Sequence, residues 1–109
     1  MYKRCKCSKQ NNCCNYDDSK MFEVEKQLKL ISVKTRLNLL FLLKKKNHCV
    51  SDLVRHTNMS QSLISHHLAD LEYAGLLRSK KEGRFTEYSL SKKGKVFSEA
   101  IFNMIKQGR

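Results

Sequence analysis

The segment Met59–Leu90, MSQSLISHHLADLEYAGLLRSKKEGRFTEYSL, leaves few folds open to this chain. It predicts a helix that opens on small hydroxyl and amide residues, followed without a linker by a two-stranded hairpin with a basic, glycine-containing tip. Ser60 is placed to cap the helix, and Gln61, Ser62, Ser65 and His66 crowd its first turn and a half. At about 100° per residue, Leu63, Ile64, Leu68, Leu71 and Ala74 fall on one stripe, a core face, while Ser62, Ser65, His66, Ala69 and Tyr73 fall opposite. A polar face with small residues at its N-terminal end suits close approach to base edges and phosphates in a DNA major groove. His66 belongs to that face; His67 lands beside the apolar stripe and reads as a packing or capping histidine.

The hairpin is expected to pair Leu76–Lys80 with Phe85–Leu90, with Lys81, Glu82, Gly83 and Arg84 as the turn and Gly83 supplying a positive φ. Tyr88 and Leu90 alternate with Glu87 and Ser89, the period of a half-buried strand. Lysines on a ribbon can serve only to keep an edge soluble. Arg78, Lys80, Lys81 and Arg84 grouped directly after a helix of this kind instead predict a wing that touches the DNA backbone.

Composition points the same way. A net charge of +12 on 109 residues calls for a polyanionic partner, and the length allows one domain with a modest core. A membrane surface is the competing anion, but no segment approaches the ~20 apolar residues a spanning helix needs and no signal-like apolar run opens the chain. A cytoplasmic, DNA-facing protein without membrane association is the expectation.

Residues 1–17 (MYKRCKCSKQNNCCNYD) are short of branched apolar side chains and predict a flexible, Cys-rich basic arm; residues 18–109 form the DNA-binding and dimerisation domain. A helix starts at Asp17–Asp18–Ser19 with acids in its first turn. Ser32 is expected to cap a core helix over 33–46, and a short helix follows near Val50–Thr57. Ser91 caps the last helix. Met21, Val24, Leu28 and Ile31 mark one terminal amphipathic helix, and Val96, Phe97, Ala100, Ile101, Met104 and Ile105 another. With Thr35–Lys46 already apolar nearly all round, there is more apolar helix surface than one small core consumes, which predicts a homodimer through the terminal helices.

The run from Thr35 to Ser91 resembles the winged helix-turn-helix domain of the ArsR/SmtB family of metal-responsive repressors. The resemblance rests on Thr35–Arg36–Leu37, on Cys49–Val50–Ser51–Asp52–Leu53, on Ser60–Gln61–Ser62 with Ser65 and His67, on Ala74–Gly75–Leu76, and on Glu82–Gly83–Arg84. It implies a mainly α fold with a small two-stranded hairpin: three helices, the recognition helix, two strands and a final helix. It also implies a dimer that binds an inverted-repeat double-stranded DNA operator and is released by metal. The chain departs from the family pattern in three places. Val33–Lys34 stand where a proline usually precedes Thr-Arg. Ser51 replaces the second cysteine of Cys-Val-Cys, and serine oxygen is a poor ligand for a soft ion. The last helix lacks the Asp and His set of zinc-sensing relatives: between Lys95 and Arg109 the only acid is Glu99.

Four of the five cysteines, Cys5, Cys7, Cys13 and Cys14, lie in the first fourteen residues. An odd count without a secretion signal argues against a disulfide framework. Thiolates at such spacing can chelate a soft ion, with Lys3, Arg4, Lys6 and Lys9 depressing their pKa values; adventitious cysteines on a disordered arm are the simpler alternative. Cys49 stands where the resemblance places an inducer ligand. An extended arm from Cys5 to Asp18 spans on the order of 40 Å, so Cys49 with two or three arm cysteines is the expected site for Cd(II), Pb(II), Zn(II) or As(III). His48, Asp52 and His56, read as one helix face, are a lesser zinc candidate.

The expected function is a DNA-binding repressor released by a thiophilic ion. The alternatives are the same repressor sensing reactive sulfur or oxidant through its cysteines, or one with no metal response. A sequence-independent architectural protein is a further class that the charge alone permits. An enzyme is not expected: no nucleophile–base–acid order, phosphate-cradling glycine loop or H-E-x-x-H motif is present.

Overall fold

The computed structural model describes residues 17–107. Five helices and three short strands follow in the order α1 (Asp18–Ile31), α2 (Lys34–Lys45), β1 (His48–Cys49), α3 (Val50–Thr57), α4 (Gln61–Tyr73), β2 (Leu77–Glu82), β3 (Phe85–Leu90) and α5 (Lys92–Gln107). The expected arm lies, apart from Asp17, outside the described residues. Asp17 itself is the N-cap of α1, accepting from the Ser19 amide at 3.0 Å.

The core is aliphatic. Leu39, Leu40 and Leu43 of α2, Leu53 of α3, Ile64, Leu68 and Leu71 of α4, and Leu76, Leu77 and Leu90 of the hairpin are all buried, with Ile31 closing one end. The stripe expected on α4 is thereby realised at Ile64, Leu68 and Leu71, whereas Leu63 remains exposed.

Three local details differ from the sequence expectation. Ser32 does not cap α2. Its hydroxyl donates back to the Lys29 carbonyl at 2.9 Å and closes α1, so α2 starts from extended Val33 without a side-chain cap. The hairpin strands run further, to Glu82, leaving a two-residue turn at Gly83–Arg84. Gly83 there has φ +62° while Arg84 keeps a negative φ, the first-position requirement of a type II′ turn. Third, the hairpin is not two-stranded in isolation: β1 adds to its far edge, giving the antiparallel order β1-β3-β2 with His48 opposite Tyr88 and Cys49 opposite Glu87.

The junction between α4, the hairpin and α5 is tightly built. Gly75 N–H donates to Glu72 O and Leu76 N–H to Leu71 O, the paired bonds of a Schellman C-cap with apolar Leu71 and Leu76 packed beneath. Ser91 Oγ donates to Gly75 O at 2.6 Å and accepts from Gly94 N at 3.0 Å, so one hydroxyl ties the end of α4 to the start of α5. Gly94 is buried against the Leu76 carbonyl with no room for a Cβ.

Candidate nucleic-acid interface

α3 and α4 make the helix-turn-helix. Asn58, in the left-handed region at φ 62° and ψ 27°, ends α3 and turns the chain; asparagine tolerates that conformation better than other non-glycine residues. Met59 then packs on α2, its sulfur accepting from Thr35 Oγ1 at 3.5 Å. Ser60 caps α4, its Oγ accepting from the Leu63 amide at 3.2 Å. Gln61, Ser62, Ser65 and His66 are all exposed beyond it, so the N-terminal end of α4 presents small polar groups and free amide dipoles to solvent.

The back of α4 is fixed to α2 by Arg36. Its guanidinium donates through Nε to His67 Nδ1 at 2.9 Å, through one terminal nitrogen to Leu30 O at 3.1 Å, and through the other to Asp70 Oδ2. Burial, then the neighbouring Arg36 and His66 charges, hold His67 below the usual histidine range, so the ring is a neutral acceptor toward Arg36. The packing role expected of His67 therefore holds in this geometry. His66 leans from the outer side on the same Asp70 carboxylate, 3.4 Å away. The sequence reading missed Arg36; a lone guanidinium at the head of the apolar run Leu37–Leu43, with His67 and Asp70 three apart on one helix, was the available signal.

The wing cations fall into three settings. Lys81 and Arg84 sit at the tip, exposed and without an ion pair among the described residues. Lys80 is at 3.3 Å from Glu82. Arg78 lies on the stem, opposite Ser89 in the register, on the strand face away from Ser79, whose hydroxyl donates to Glu72 of α4 at 2.8 Å.

Cys49 is half-buried at the junction of β1 and α3, its amide donating to Asp52 Oδ2 at 3.3 Å. That carboxylate also accepts from Arg55 at 2.7 Å and is held below the usual carboxylate range by the Cys49 amide first, opposed by desolvation and helped by Arg55 and His48. Cys5, Cys7, Cys13 and Cys14 lie outside the described residues. The helical face proposed for His48, Asp52 and His56 is corrected: His48 belongs to β1, is buried, and uses Nδ1 on the Lys46 carbonyl at 2.7 Å, stacking edge-on with His56. No group of three or more His, Cys, Asp or Glu side chains suited to a metal ion occurs among the described residues. Nor, among those residues, is any helix long and apolar enough to cross a membrane.

A helix-turn-helix followed by a basic hairpin and flanked by terminal helices defines a winged helix-turn-helix protein. The family model described as bacterial regulatory protein, arsR family, matches residues 34–79. The arsenical resistance operon repressor of Escherichia coli (strain K12) is 41% identical over 64 residues, 58% of this chain and 55% of that protein. The transcriptional repressor SdpR of Bacillus subtilis (strain 168) is 40% identical over 63 residues, 58% of this chain and 70% of that one. Among solved structures, HlyU from Vibrio cholerae N16961 superposes with a TM-score of 0.76 at 28% identity, covering 84% of this chain and all of that one. A structure described as a possible transcriptional regulator for arsenical resistance gives 0.62 at 37% identity, covering 72% and 82%. The chain belongs to the arsR family of bacterial regulatory proteins. The relatives' names are those of regulators rather than enzymes, in line with the expectation from sequence.

Proposed function

We propose that this chain is a transcriptional repressor that binds an inverted-repeat operator as a homodimer and is released when a thiophilic ion binds at Cys49 together with cysteines of residues 1–16. The observation that carries the DNA reading is the exposed, acid-free first turn and a half of α4 (Gln61, Ser62, Ser65) beside a wing whose tip residues Lys81 and Arg84 have no ion-pair partner among the described residues. Helix N-termini and small polar side chains reach base edges; unpaired cations reach phosphates. Two α4 helices are needed for two half-sites, and the exposed apolar residues of α1 and α5, Met21, Phe22, Leu28, Met104 and Ile105, supply a surface on which a second copy can pack.

Support for the inducer comes from the placement of Cys49. It is the one thiol among the described residues, and a single soft ligand does not hold an ion, so this reading draws the remaining donors, two or three, from Cys5, Cys7, Cys13 and Cys14. Relatives named for arsenical resistance point to As(III) within that class. Cys49 pairs with Glu87 of the wing and opens α3, so a force applied there reaches both DNA-facing parts.

Fluorescence anisotropy on DNA selected by the purified protein tests both halves. Ser62→Ala or Ser65→Ala should erode preference among sequences, while Lys81→Ala and Arg84→Ala should weaken all sequences alike and each flatten the salt slope by about one unit. As(III) or Cd(II) should lower operator affinity by about tenfold or more, roughly 1.4 kcal/mol of coupling, and Cys49→Ser should abolish that response while sparing ion-free binding. Equal operator affinity with and without saturating ion would remove the inducer reading and leave the DNA reading standing.

A further inference from the structure

A cavity of about 640 Å³ opens where the C-terminal end of α2, the stem of the hairpin and the first turns of α5 meet. Lys44, Lys45 and Lys46 of α2, Arg78 of β2 and Lys95 of α5 line it, against the single acid Glu99. None of these cations makes an ion pair among the described residues. Residues 1–16 contain no Asp or Glu that could neutralise them. Lys45 turns its ammonium over the Phe41 ring at 5.0 Å, which leaves Lys44, Lys46, Arg78 and Lys95 to the cavity.

Helix ends account for only part of this charge. Lys44 and Lys45 in the last turn of α2 complement the negative end of that helix dipole. The start of α5 does the opposite: Lys92, Lys93 and Lys95 crowd a first turn that holds no acid, against the positive end of the dipole. Arg78 adds a further cation from a third element. A concave site that gathers unneutralised cations against a local rule costs stability unless something of opposite charge occupies it.

No residue of α4 and none of the wing-tip residues 81–84 lines the cavity. Arg36, which fastens α4, and Lys45, at the cavity end of α2, are nine residues apart, about 13 Å along that helix. Arg78 is five residues from Gly83, or about 17 Å from the wing tip. The cavity also falls in the ~300–1,000 Å³ range of small-molecule sites. We propose that it is a binding site for a small polyanion bearing phosphate or carboxylate groups, held by Lys46, Arg78 and Lys95, with the half-buried Ser89 hydroxyl beside Arg78 as an uncharged partner. Because its walls belong to α2, the wing stem and α5, an occupant clamps the wing to the terminal helix. That consequence rests on the repressor reading above; the binding itself does not.

Isothermal titration calorimetry of the full chain, without DNA and at fixed ionic strength, tests the site with sodium pyrophosphate and with citrate as probes. The expected result is saturable binding of one anion per protomer by at least one probe. It should weaken tenfold or more in the Lys46→Gln, Lys95→Gln double variant and be unchanged in Lys20→Gln, Lys29→Gln, which removes the same charge from α1. Circular dichroism melting of both variants controls for folding. Heats that do not saturate, or equal weakening in both double variants, would overturn the proposal and reduce the patch to diffuse charge. So would failure of both probes with a loss of DNA affinity and salt slope in the Lys46, Lys95 variant, which would assign these lysines to the DNA footprint.

Discussion

Arg36 Nε on α2 donates to His67 Nδ1 on α4 across 2.9 Å, and the same guanidinium reaches Asp70 one turn further along α4 and the Leu30 carbonyl at the end of α1. One side chain thus sets the position of the recognition helix relative to the helices behind it. The Arg36 side chain is largely buried whereas Asp70 is more than a third exposed, so solvent screens part of the pair. Arg36→Ala is expected to destabilise the fold by about 1–3 kcal/mol, from three lost hydrogen bonds and a partly desolvated carboxylate. Arg36→Lys should recover less than half of it, because an ammonium cannot reproduce the planar fork. Urea unfolding of the three proteins measures this. Lysine matching arginine would show that only the charge matters.

The same contact has a pH dependence of known sign. His67 is held below the ordinary histidine pKa near 6.5 by burial first, then by Arg36 and His66, with Asp70 opposing. The unfolded chain therefore takes up this proton at higher pH than the folded one. The stabilisation is complete above about 6.5 and is lost as pH falls from there toward the folded value. His67→Asn keeps an acceptor facing Arg36 without a group that protonates, so its thermal midpoint should decline less than wild type between pH 7 and pH 5. Parallel curves for the two proteins would mean that His67 does not titrate in this window.

Gly94 sits against the carbonyl of Leu76, and the obstructing atoms are main chain rather than a side chain that could swing away. In an open helical position, glycine to alanine stabilises by about 1 kcal/mol. Here steric conflict should dominate, and Gly94→Ala is expected to destabilise by about 1–3 kcal/mol, loosening α5 from the wing stem. A rise in melting temperature would show that the stem yields.

The terminal helices separate fold from assembly. Ile101 packs on the core, so Ile101→Asp should unfold the protomer before it reports on any interface. Met104 and Ile105 are 68% and 66% exposed in the protomer. Met104→Asp with Ile105→Asp should leave helix content intact and, for the proposed homodimer, give a monomer in sedimentation. A dimer that survives the double change would move the interface off the end of α5.

Much of this arrangement was legible from residue order, and the exceptions share a cause. Period and capping chemistry are local, so the Ile64, Leu68, Leu71 stripe, the Ser60 cap and the Gly83 turn could be read directly. Ser32 was misplaced because a serine between two helices can close the first or open the second, and only the partner carbonyl, Lys29 O, decides. A two-residue strand has no period at all, so β1 was invisible, and with it the burial of His48. The Arg36 hub and the cationic cavity depend on side chains converging from two or three elements, which spacing along the chain does not report.

β1 also determines where the chain can change length. The wing tip is a free end: Gly83 has open space around it, and residues inserted there would extend a ribbon without moving anything else. The connection between α2 and α3 has no such slack. Lys46, Asn47, His48 and Cys49 must reach from the end of one helix to the start of the next while keeping register with Tyr88 and Glu87. One residue gained or lost there would turn His48 out of the interior and Cys49 in, since alternate positions on a strand face opposite ways. Among divergent relatives built on this plan, variation in length should therefore collect at the wing tip and be scarce in the four residues before α3.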